Sequence, residues 1–369
     1  MLQPPPAEPG MSIEEVDTPA LFIDLDALES NLDHMAAFAR QARVSLRPHA
    51  KTHKSPVIAR MQIERGAVGQ CVQKVAEAEV LAWGGVTDIL VSNEVVGARK
   101  LARFAALSRL SKVAICADCD AGVAAIESAA AEAGQRLTVL LEVDVGMDRC
   151  GLQPGPQVVE LARGVVRSPH LKFGGLQVYQ GRAQHQRTVE ERAASIRAAV
   201  DIVGGVVSDL RDVQIACGIV GGAGTGTFAL EAASGVYTEL QAGSYVFMDA
   251  DYARNRPAPP FQQSLFVLTT VMSAPRADLA VVDAGLKALA VDSGMPLVWG
   301  RPGIAYVGAS DEHGQLTLGP DAAPLRLDER VMLTPGHCDP TVDRYDWYVG
   351  VRKGRVESLW PIAARGAMT

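Results

Sequence analysis

From Ala20 onward, short apolar runs alternate with longer stretches whose apolar residues recur at helical spacing. The runs read as strands: Leu21–Leu25, Val44–Leu46, Val68–Val72, Asp88–Ser92, Lys112–Cys116, Thr138–Val143, Phe173–Val178, Gln214–Cys217 and Val236–Gln241. Between them Ala27–Arg40, Val75–Trp83, Ala98–Leu107, Ala121–Ala133, Val158–Arg167 and Val189–Leu210 read as amphipathic helices. Regular strand–helix alternation predicts a parallel sheet, and about eight units suggest closure into a (β/α)8 barrel. The texture changes at Asn255-Arg256-Pro257-Ala258-Pro259-Pro260, which has linker composition. Beyond it, strand-like runs follow one another with almost no helical pattern, and Arg352-Lys353-Gly354-Arg355 reads as a hairpin turn. The expected architecture is α/β: a TIM-like barrel over residues 20–254, then a mostly-β second domain over 255–369 that also takes in segment 1–19.

Composition narrows the function. At 369 residues and 48% hydrophobic, the chain can bury a large core. A net charge of −7 with dispersed lysines and arginines offers no basic stripe, so no nucleic-acid partner is expected. The N-terminus has neither the charge nor the apolar stretch of a signal peptide, and no run is long enough to span a membrane. The six scattered cysteines then read as reduced thiols of a cytoplasmic protein. Cys116-Ala117-Asp118-Cys119 has CxxC spacing but no second pair to complete a zinc site.

Candidate chemistry lies where strands end. After Val44–Leu46 comes Arg47-Pro48-His49-Ala50-Lys51. Alternation places Ser45, Arg47, His49 and Lys51 on one face, inward in a barrel and close to its C-terminal mouth. Poor solvation and neighbouring cations favour the neutral amine at Lys51, able to form a Schiff base with a carbonyl; the bland alternative is a solvated surface lysine. Lys54 has the opposite parity and is the weaker candidate. The glycine-rich loops Gly221–Thr227 and Ala242–Tyr245 fall late in the barrel pattern, where phosphate sites form, although many such loops are only turns. In an extended segment His337 and Asp339 would point the same way and could hold a divalent cation; a structural histidine is the alternative. Tyr179 could meet a heteroaromatic nitrogen, His185 could relay protons, and Arg149 could meet an anionic oxygen. Loop capping and a surface ion pair are the bland readings of these three.

Taken in order, Arg47–Lys54, Ser92–Val95, Glu142–Gly151, Gly221–Thr227, Gly235–Asp251, Asp283–Lys287 and Pro335–Thr341 resemble the fold-type III pyridoxal-phosphate enzymes, in the branch of D-threonine aldolase and D-serine dehydratase. The resemblance runs from about Val16 to the C-terminus. It implies pyridoxal phosphate on Lys51, Tyr179 facing its pyridine nitrogen, Arg149 near its ring oxygen, and Thr225, Gly226, Gly243 and Ser244 on its phosphate. It further implies a metal on His337 and Asp339, His185 as a catalytic base, and a homodimer acting on a small amino acid. The dehydratases of this branch look to carry a cysteine where Asp339 stands. A carboxylate there shifts the preference from Zn²⁺ toward Mn²⁺ or Mg²⁺ and the reaction toward aldol cleavage of a β-hydroxy-D-amino acid. The closest rival substrate is 3-hydroxy-D-aspartate, whose second carboxylate would want an arginine, with Arg254 the candidate. A D-serine-type dehydratase and a non-catalytic cofactor carrier are the other readings, and the roles of Glu312 and His313 stay open.

Overall fold

The computed structural model describes residues 3–369 and contains two sheets. Eight parallel strands form the first: Ser45–Leu46, Gln70–Val72, Asp88–Glu94, Lys112–Ala117, Leu137–Glu142, Leu171–Gln177, Ile219–Gly222 and Glu239–Leu240. From the second onward each pairs with the next, and the last pairs with the first. The ring closes between the first two, where the Val68 amide donates to the Leu46 carbonyl (2.8 Å) and the Cys71 amide to the Pro48 carbonyl (2.8 Å). Helices cover the outside, as the alternation requires. Cys71, Leu90, Cys116 and Leu140 fill one layer of the interior. Cys116 is therefore a core residue, Cys119 is exposed, and all six thiols are free.

The second sheet is mostly antiparallel and has nine strands. Its hairpin joins Trp347–Arg352 to Arg355–Pro361 through Lys353 and Gly354, both at positive φ, as a primed two-residue turn needs. Ala20–Asp24 also belongs to this sheet. The alternation counts it with the barrel strands, yet it lies between Leu265–Arg276 (antiparallel) and Trp347–Arg352 (parallel). Leu21 and Ile23 enter one core while Ala20 and Phe22 enter another. A strand buried on both faces has no alternation, so its sequence cannot distinguish a barrel from the middle of a covered sheet.

Two other barrel strands differ from expectation. Gln214–Cys217 is connecting chain, and the strand starts at Ile219, taking in Gly221 and Gly222 from the presumed loop. Close packing explains those glycines: a Cβ on Gly222 would fall 2.3 Å from the Val178 carbonyl oxygen. Val236–Gln241 contracts to Glu239–Leu240. Among the described residues no helix is long and apolar enough to cross a membrane.

Arg47 anchors the strand that leads to the site. Buried at the base of the barrel, its Nε donates to Glu239 Oε1 (2.9 Å) and its Nη1 to Asp88 Oδ1 (2.5 Å). Removing it strands the buried Glu239 carboxylate. Arg47→Ala should cost about 3–5 kcal/mol in urea unfolding; a loss under about 1 kcal/mol would mean that the ion pairs contribute nothing to the barrel.

Candidate active site

A cavity of about 290 Å³ opens at the C-terminal ends of the barrel strands, and residues from the second domain close one side of it. Lys51, Arg149, Tyr179, His185, Thr225, Gly243, Ser244, His337 and Asp339 all line it. Gly226 and Arg254 do not. The Gly226 amide donates to Gln184 Oε1 (2.9 Å), and the Arg254 guanidinium donates to Asp251 Oδ1 (2.8 Å) and the Ser293 carbonyl (2.6 Å). Lys54 also stays outside, held by Glu77 (2.9 Å) and Asp343 (3.2 Å).

The lysine follows the barrel's first strand, where the chain turns toward helix Pro56–Glu64. His49 is buried beneath it, hydrogen-bonded to Gln73 Nε2 (2.9 Å). Burial and the Lys51 charge hold His49 well below its ordinary value, so it is a neutral ring. Lys51 itself corrects the expected neutral amine. Burial alone would lower its pKa, but Asp339 Oδ2 lies 3.6 Å from Nζ and the net direction is upward. The Lys51 side chain is 43% exposed, toward the cavity it lines. No local pattern could reveal Asp339, because it comes from the other domain.

His337 and Asp339 share the cavity for a different reason from the one expected. The segment is not extended past His337: that residue is the N-cap of the helical turn Cys338–Val342. Pro340 is tolerated there because it falls in the first turn, where amides lack intrahelical partners. His337 Nδ1 meets Asp292 Oδ2 at 2.8 Å, which leaves Nε2 as the ring nitrogen whose lone pair could bind a cation. Burial would lower His337, yet Asp339 and Asp292 raise it; burial would raise Asp339, yet Lys51 and His337 lower it. Among the described residues no group of three or more His, Cys, Asp or Glu could hold a metal. One imidazole, oriented by a carboxylate, and one carboxylate fit a cation that takes its other ligands from water or substrate.

The opposite wall fits a phosphate. Thr225 is 1% exposed, and its Oγ1 is buried without a hydrogen-bond partner. Gly243, which lines the same cavity, has no room for a side chain, since a Cβ there would lie 2.6 Å from Thr52 Oγ1 and 2.7 Å from the His49 carbonyl. Unpartnered buried hydroxyls at Thr225 and Thr52, in a cavity also lined by Gly243 and Ser244, are donors that an anionic ligand can use.

Arg149 stands with its guanidinium carbon 5.9 Å from the Tyr179 ring centroid and Nη2 3.7 Å from Glu142 Oε1. Burial and the adjacent Glu94 push Glu142 up to about 8. Sequence reasoning missed this acidic pair, because two separate strands bring it together. It also missed Asp249, Asp251, Arg187 and Asp292. Only Asp249 carries a local signal: it precedes the helical turn Ala250–Ala253 and accepts from the Tyr252 amide (2.9 Å), as an N-cap does.

The family model described as alanine racemase, N-terminal domain, matches residues 23–251, and the putative serine dehydratase domain matches 264–351. The chain is 47% identical to a D-threonine aldolase from Arthrobacter sp., covering 98% of this chain and 96% of that one. It is 44% identical to a 3-hydroxy-D-aspartate aldolase from Paracoccus denitrificans, with 98% and 95% covered. The crystal structure of D-threonine aldolase from Filomicrobium marinum superposes with a TM-score of 0.98 at 46% identity, covering 100% of both chains. With an alanine-racemase-like barrel, a serine-dehydratase-like second domain and a cavity between them, the chain belongs to the D-threonine aldolase and 3-hydroxy-D-aspartate aldolase family of fold-type III pyridoxal-phosphate enzymes.

Proposed function

We propose that this protein is a carbon–carbon lyase that uses pyridoxal phosphate and a divalent metal to cleave β-hydroxy-D-amino acids of the D-threonine type into glycine and an aldehyde. One observation carries the reading: a barrel lysine and a second-domain His337–Asp339 pair face the same cavity. Near-full-length similarity to D-threonine aldolase supports it.

Bound through Lys51, pyridoxal phosphate would supply an electron sink for the pair left on Cα when the Cα–Cβ bond breaks. A cation held by His337 and Asp339 would supply positive charge that makes the substrate's β-hydroxyl easier to deprotonate. The oxygen donor of Asp339 favours Mn²⁺ or Mg²⁺ over Zn²⁺. The chain's own residues do the rest. Thr225, Gly243 and Ser244 hold the phosphate end, and Tyr179 and Arg149 orient the ring. His185 lines the cavity and takes the hydroxyl proton.

A second substrate is favoured by the 44% identity to a 3-hydroxy-D-aspartate aldolase. Arg254 gives that reading little support, since Asp251 and Ser293 occupy it outside the cavity. We further propose a homodimer, supported by the exposed apolar side chains Met272, Leu297 and Val307 on the second sheet and Trp299 in the turn that follows Leu297–Val298. A reducing cytoplasmic location is supported by the free thiols.

Incubation with D-threonine, pyridoxal phosphate and Mn²⁺ should yield glycine and acetaldehyde by chromatography. Formation of 2-oxobutyrate and ammonia would mean a dehydratase and reject the role given to Asp339. Lys51→Ala should lose the visible absorbance of covalently bound cofactor, whereas Lys54→Ala keeps it; the reverse pattern would move the attachment point. Chelation should abolish turnover and added Mn²⁺ restore it, and full activity in metal-free protein would sink the metal's role.

A further inference from the structure

Asp251 is the most heavily engaged carboxylate around the cavity. It sits on the turn Ala250–Ala253, with only 6% of its side chain exposed. Its Oδ2 lies 2.6 Å from His185 Nδ1. Its Oδ1 accepts from Arg187 Nη2 (2.5 Å) and Arg254 Nη2 (2.8 Å), and its backbone carbonyl accepts from Arg187 Nη1 (2.8 Å). Arg187 is tied again to Asn255 Oδ1 (2.9 Å), so the assembly is braced from behind. Neither arginine lines the cavity, whereas His185 and Asp251 both do. The imidazole lies over Tyr252, with ring centroids 6.4 Å apart and planes 28° from parallel.

We propose that Asp251 is the positioning residue of this reaction: with Arg187 and Arg254 behind it, it fixes His185 as the Nδ1–H tautomer and leaves Nε2 as the base. The inference rests on the reading of His185 as the group that takes the substrate's β-hydroxyl proton.

The tautomer follows from charge. Burial alone would raise Asp251, but the hydrogen bonds from His185, Arg254 and Arg187 hold it well below the usual carboxylate range. An ionised carboxylate only accepts, so Nδ1 must donate, and in the neutral ring Nε2 then carries the lone pair. When Nε2 takes the β-hydroxyl proton, the O–H electron pair becomes the second bond of the aldehyde carbonyl. The Cα–Cβ pair stays on Cα, and the imidazolium charge faces the Asp251 anion. The two arginines give Asp251 its second function. They keep it from accepting the proton, so the charge stays on His185, from which it can return to product. The titratable and charged groups that share the cavity with His185 are Asp251, with Arg187 and Arg254 behind it, together with His49, Lys51, Arg149, Tyr179, Asp249, Tyr252, His337 and Asp339.

Two variants separate positioning from packing. In Asp251→Asn the amide can still accept from the arginines while its NH₂ faces Nδ1, which forces the proton to Nε2. Long-range ¹H–¹⁵N spectra of histidine-labelled protein without substrate should show Nδ1–H at His185 in the parent and Nε2–H in D251N. In the holoenzyme with D-threonine and Mn²⁺, D251N should keep the cofactor absorbance and KM while kcat falls about 10²–10⁴-fold. The acidic limb of its kcat/KM profile should move to lower pH. Arg254→Gln removes a cation behind the same carboxylate, so it should keep Nδ1–H and move that limb to higher pH. These opposite displacements are not expected from loosened packing, and R254Q keeps the test alive if D251N does not fold. D251N retaining Nδ1–H, or a kcat within threefold of the parent, would overturn the positioning role alone. His185→Gln retaining the parental rate would overturn both the base assignment and the inference built on it.

Discussion

One buried carboxylate joins the two halves of this site. Asp249 is fully buried where the barrel ends, and its two oxygens serve different domains. Oδ1 caps the turn that carries Asp251, by accepting from the Tyr252 amide (2.9 Å). Oδ2 accepts from the Cys338 amide (3.1 Å), between His337 and Asp339. The adjacent Ala250 amide donates to the Pro335 carbonyl (3.0 Å), so the contact is doubled. The proposed proton acceptor and the proposed metal ligands are thereby referred to a single group. A carboxylate buried this deeply is costly unless hydrogen-bonded, and two backbone amides supply those bonds.

Around that joint the charges are sorted. Lys51 faces Asp339, His185 faces Asp251, and His337 faces Asp292, so each cationic or proton-accepting group has its own carboxylate. His49, deep in the barrel, is kept neutral. The barrel contributes the lysine and the proposed phosphate cradle; the second domain contributes the imidazole and carboxylate proposed to hold a cation. Neither domain alone has the full set. A barrel without the second domain could bind a cofactor but would lack His337 and Asp339, which separates this chain from a simple carrier.

The sequence revealed what depends on local periodicity. Lys51 lies at the mouth as the position after a barrel strand requires, although the strand ends at Leu46 and a turn over residues 50–53, not strand parity, delivers the side chain. What depended on tertiary partners was hidden. Ala20–Asp24 is covered on both faces in either sheet, so its pattern could not assign it. His337 and Asp339 share a cavity through an N-cap, not through extended chain. The role proposed for Asp251 depends on His185 and Arg187, which reach it from more than 60 residues away, so its local sequence, with only Arg254 nearby, could not reveal it. The charge of Lys51 was misjudged for the same reason: its decisive neighbour lies across the domain boundary.

The central claim is that the two domains complete one catalytic cavity, with cofactor on Lys51 and metal on His337 and Asp339. Anomalous diffraction from crystals of the holoenzyme, grown with pyridoxal phosphate and Mn²⁺, tests it most directly. The account predicts continuous density from Lys51 Nζ into the cofactor and a manganese peak on His337 and Asp339. A cofactor joined to another lysine, or manganese bound only elsewhere, would contradict it.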